Sequence, residues 1–76
     1  MRYSQLSGPD LDYFVRMISH GCAAKTYQRK CPRASEDEAW LWAADHWRKF
    51  TDRALDILAV LAVNQEDDIA ARERRN

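Results

Sequence analysis

Four side chains in this 76-residue chain are of the type that holds a transition metal: His20, Cys22, Cys31 and His46. Two thiolates and two neutral imidazoles make a complete tetrahedral zinc set. The spacing departs from the usual pattern, in which paired cysteines and paired histidines each sit a few positions apart. His20 and Cys22 flank a single residue, so joint ligation needs a turn there, which Gly21 allows. The simpler reading makes Cys22 and Cys31 small apolar residues and leaves the two histidines as ordinary helix positions. That reading is preferred, with no metal or other cofactor. A Cys22–Cys31 disulfide would close a short loop. Met1-Arg2-Tyr3-Ser4-Gln5 leads into no apolar segment of a secretory signal, so the expected compartment is the cytoplasm and the expected state is two free thiols.

Catalysis needs a nucleophile beside a base, or two acids across a cleft. Asp45 and His46 are adjacent, but neighbouring helix positions diverge by about 100°, so they form no relay. No glycine-rich phosphate loop is present among two glycines in all. The expectation is a protein that is not an enzyme.

Recognition residues are better represented. Lys25, Arg29, Lys30 and Arg33 interleave four positive charges with Tyr27, as a contact to a phosphate chain does. The wider charge pattern is segregated. Residues 13–35 carry five positive charges and no acid, whereas residues 36–76 carry six positive and ten negative charges. The chain as a whole sums to zero, unlike a dedicated polyanion binder. Complementarity within the molecule or between subunits fits this pattern better, with Lys25, Arg29, Lys30 and Arg33 at a protein interface. Trp42 joins them as a candidate partner contact. On a helical wheel it lies opposite Trp40 and Trp47, among Glu38, Asp45, His46 and Lys49, and tryptophan concentrates binding energy at interfaces.

The elements that must position these residues are helices. Ser7-Gly8-Pro9-Asp10 is a helix start, and Leu11, Phe14, Val15 and Ile18 follow at helical spacing. Gly21 is placed to end that helix, giving a short helix of about 9–20. Residues 22–31 form a second short helix or a basic connector that stops before Pro32. Ser35 and Glu38 fit a capping box, and no Gly or Pro follows. Trp40, Ala43, Trp47, Phe50, Ala54, Ile57 and Leu61 alternate in steps of three and four, an unbroken seam broadened by Leu58. One long helix of about 36–63 is expected, with residues 1–6 and 65–76 flexible. In that tail Asp68 and Arg72 are spaced to pair.

These elements do not balance. A helix of 28 residues spans about 42 Å and one of 12 residues about 18 Å. Residues Ile57 to Val63 are also apolar around the whole helix, which calls for burial on all sides. The sequence therefore reads as one all-α domain, a helical hairpin that dimerises into a bundle through Trp40, Trp47, Phe50, Ile57, Leu58 and Leu61. The functional expectation is a non-enzymatic interaction module, an adaptor or a small inhibitor, that binds a partner protein and its own copy. Compact helical inhibitors of phages and mobile elements share this size. A nucleic-acid-associated protein using residues 25–33 is the alternative, and a small zinc-stabilised helical module is the third reading. The longest apolar run, Ile57 to Val63, is far short of a membrane span.

Overall fold

The computed structural model describes residues 2–75, which are helical nearly throughout, with no strand among them. A 3-10 turn at Tyr3–Gln5 is followed by three α-helices: α1 (Gly8–Lys30), α2 (Glu36–His46) and α3 (Thr51–Arg74). A second 3-10 turn, Trp47–Phe50, joins α2 to α3. Ser7 is extended and Gly8 turns through a positive φ of 56°, after which Pro9 suits the first turn. Ser35 caps α2, its hydroxyl accepting from the Glu38 amide at 3.2 Å.

The first helix differs from the expected 9–20. Gly21 does not end it, and the segment 22–31 is not a separate element; α1 runs on to Lys30. A glycine inside a helix costs about 1 kcal/mol relative to alanine. Just beyond it, Ala23 and Ala24 are buried against Ala39 and Ala43 of α2, and that packing holds the helix through the glycine.

The long helix expected over 36–63 is also revised. It breaks at Trp47–Phe50 and then continues past residue 63 as far as Arg74. Neither Gly nor Pro marks the break. Side chains three apart in a 3-10 turn eclipse one another, so Trp47 and Phe50 face the same way. Both meet the rest of the fold: Trp47 stacks on His20 of α1, and Phe50 packs on the alanine cluster.

Helix α1 packs along α2, the Trp47–Phe50 turn and α3 in succession, whereas α2 and α3 stand end to end without packing side by side. The result is a hairpin with one kinked arm, 50 Å long. Its core is made of small residues: Ser19, Ala23, Ala24, Ala39, Ala43 and Ala54, with Leu58 the one larger side chain among them. Small residues at the crossing let the backbones approach closely, and the large rings are displaced to the flanks. Within one chain this core covers only part of the expected seam. Trp40, expected within it, is 46% exposed. Trp47, Phe50 and Ile57 are half-buried, and Leu61 lies at the edge of solvent.

The first turn docks on the far end of α3. The Tyr3 amide donates to Gln65 Oε1 at 2.7 Å, Ser4 Oγ donates to Glu66 at 2.9 Å, and Arg2 lies 3.8 Å from Glu66. No helix among the described residues is long and apolar enough to cross a membrane.

Candidate interaction surface

The four metal-ligand candidates do not come together, and no group of three His, Cys, Asp or Glu among the described residues is placed to hold an ion. His20 donates from Nδ1 to the Arg16 carbonyl at 2.6 Å and stacks on Trp47 at 5.2 Å. His46 donates from Nδ1 to the Trp42 carbonyl at 2.8 Å and stacks on Trp42 at 4.1 Å. Each imidazole is thereby tied to an aromatic neighbour. Both thiols are free. Nine helical steps of about 1.5 Å separate Cys22 from Cys31, beyond the roughly 7 Å that a disulfide spans.

Trp42 is turned inward, not outward among the charged residues. It is half-buried, stacked on Tyr27 at 5.4 Å and edge-on to Phe50 at 6.3 Å, against the alanine cluster. The sequence wheel assumed one straight helix with its centre on Trp40. The helix is instead rotated to bring Ala39 and Ala43 onto α1, and Trp42 follows them. Trp47 is the more polar ring, with Arg16 and Arg48 each 5.5 Å from its centre, a cation–π arrangement.

Tyr27 stands beside Cys31 at the end of α1. The charge of the Cys31 thiolate pushes the phenol above its ordinary value of 10.0, with partial burial, the Glu38 carboxylate and a hydrogen bond with Cys31 adding to the rise.

Two surfaces remain. The first is apolar and lies on α3. Val60 is 59% exposed and Val63 61%, and Ile57 and Leu61 flank them. Ile57, Val60 and Leu61 line one hollow of about 310 Å³ together with Arg53 and Asp56. Val60 also lines a second hollow with Ala59 and Val63, and Leu61 a third with Tyr3 and Ile69, so the apolar surface is continuous along the helix. The expectation that Ile57 to Val63 needs burial on all sides meets a fold that buries Leu58 and leaves Val60 and Val63 in solvent. Trp40 and Leu41, on α2, form a separate exposed pair.

The second surface is basic. Lys25 and Arg29, one turn apart on α1, line a hollow of about 230 Å³ with Cys22, Thr26, Ile57 and Arg53 of α3. No acid lines it. Lys30 and Arg33 are exposed farther on, at the end of α1 and in the turn that follows. Arg53 did not stand out in the sequence, because its proximity to Lys25 and Arg29 comes from packing of α3 on α1 and has no local signature.

The ion pairs among the described residues are Arg16 with Asp12 at 3.0 Å, as their spacing predicts, and Arg2 with Glu66. Asp68 and Arg72, spaced to pair, do not. Lys25, Arg29, Arg53 and Asp68 thus carry charges beside the apolar strip that form no ion pair among the described residues, with Asp56 sharing a hollow with Arg53, and Arg2 and Arg72 sharing one with Asp68. Comparison with protein-family models, curated proteins and solved structures yields no match for this chain.

Proposed function

We propose that this chain is a non-enzymatic protein-interaction module, an adaptor or small inhibitor in the cytoplasm, that associates with its own copy through α3. The observation that carries this reading is the contrast between core and surface. The buried core is alanine, serine and a single leucine, whereas valines and leucines of α3 face solvent. A small domain with so thin a core gains stability by covering apolar area, at about 25 cal/mol per Å². Contiguous exposed apolar surface rimmed by charge marks a site of protein contact.

Val60→Asp tests it. Static light scattering at roughly 100 µM, a concentration suited to micromolar affinity, should give a dimer mass for the native chain and a monomer for the variant. Leu41→Asp, at a position 71% exposed on α2, should leave the mass unchanged. A native monomer, or a dimer indifferent to Val60→Asp, contradicts the proposal.

A polyanion-binding role is the second reading, favoured by the three cations of the hollow with no acid among them. Fluorescence anisotropy with single- and double-stranded oligonucleotides at low and high salt tests it. Absence of salt-dependent binding removes it.

A further inference from the structure

The geometry points to an antiparallel pairing of α3 with α3 of a second copy, in a register set by Arg53 and Asp68. This rests on the α3 reading above and specifies its partner, orientation and recognition charges.

Residues that share one side of a helix follow steps of three, four or one at the ridge. One strip along α3, exposed except for the half-buried Ile57, is Arg53, Ile57, Val60, Leu61, Asn64 and Asp68. Their successive spacings are 4, 3, 1, 3 and 4. The series reads the same from either end. An antiparallel twofold pair requires this property, because each residue then faces its mirror position across the axis. With the axis between Val60 and Leu61, those two meet each other's counterpart in an apolar centre. Ile57 meets Asn64. At each end Arg53 meets Asp68 of the second copy.

The charges agree with the spacing. Among the described residues of its own chain, neither Arg53 nor Asp68 has an ion pair. Lys25 and Arg29 border the same hollow as Arg53, so the end of the strip that receives Asp68 is positive on two helices. At the other end Asp67 and Glu66 accompany Asp68, against Arg2, which pairs with Glu66, and Arg72, so the acids outnumber the cations there by one. The basic middle and acidic remainder of the chain thus find each other across the axis, and the hollow takes a carboxylate of the second copy. A parallel pair sets Arg53 against Arg53 and Asp68 against Asp68, and like charges oppose it.

The test is a charge exchange on the full chain, read by sedimentation equilibrium, with circular dichroism confirming equal helicity for every variant. Arg53→Asp and Asp68→Arg alone should each weaken self-association by about tenfold, since two ion pairs per dimer become two repulsions. The double variant should recover native association. An equimolar mixture of the two single variants should form heterodimers in preference to either homodimer. A native dimer whose association neither exchange changes, or which the double variant does not restore, overturns the register but leaves self-association through α3 standing. A native monomer overturns both. Loss of pyrophosphate or oligonucleotide binding in Arg53→Asp, with dimer mass intact, overturns the register by giving the hollow to a polyanion.

Discussion

Tyr27 shows how much one side chain owes to its neighbours. It holds Trp42 in place from one face and meets Cys31 at the end of the same helix. Negative charge on Cys31 and Glu38 resists a second charge on the phenol beside them. Replacing Cys31 with Ala should lower the Tyr27 phenol toward 10.0, measured by absorbance titration near 295 nm. The sign for stability follows from the same shift. The folded chain keeps the phenolic proton to higher pH than the unfolded chain, so the native state loses stability as the pH rises past about 10. An unchanged titration in Cys31→Ala would assign the shift to burial and the Glu38 carboxylate. Residue-level features set by neighbours in sequence, such as the Ser35 cap and the Asp12–Arg16 pair, are readable without a structure. The inward turn of Trp42 is not, because it depends on which side of α2 the alanines bring to α1.

At the scale of the element, the two glycines have opposite roles. Gly8 has a positive φ, where a side chain is strained, while Gly21 is ordinary helix with open space at its missing Cβ. Gly21→Ala should therefore stabilise the fold by about 0.4–1 kcal/mol, and Gly8→Ala should destabilise it by about 1–2 kcal/mol. Urea denaturation midpoints for the two variants should move in opposite directions. A destabilising Gly21→Ala would mean that α1 needs the glycine as a hinge. Helix character was legible from periodicity over 9–20 and 36–63, but the second half of α1, the last turns of α3 and the break between α2 and α3 were not. Continuation through Gly21 depends on Ala23 and Ala24 finding Ala39 and Ala43. The break at Trp47 depends on rings meeting α1, and an unbroken heptad pattern carries no sign of either.

For the whole molecule, the seam identified in the sequence and the surface found in the structure overlap only in part. Ala43, Ala54 and Leu58 are covered within the chain, while Leu61 and the valines beside it are not. A longer α1 removes some of the mismatch that periodicity implied, and the kink moves the remainder onto α3. If a second copy completes the fold, native stability depends on concentration. The thermal midpoint should rise with protein concentration, and in Val60→Asp it should become independent of it. The most direct measurement is X-ray scattering over a concentration series. Self-association predicts a forward-scattering mass that climbs from 8.9 kDa toward twice that value, with the radius of gyration rising above 15.5 Å. A mass fixed at 8.9 kDa and a radius near 15.5 Å at every concentration would contradict it.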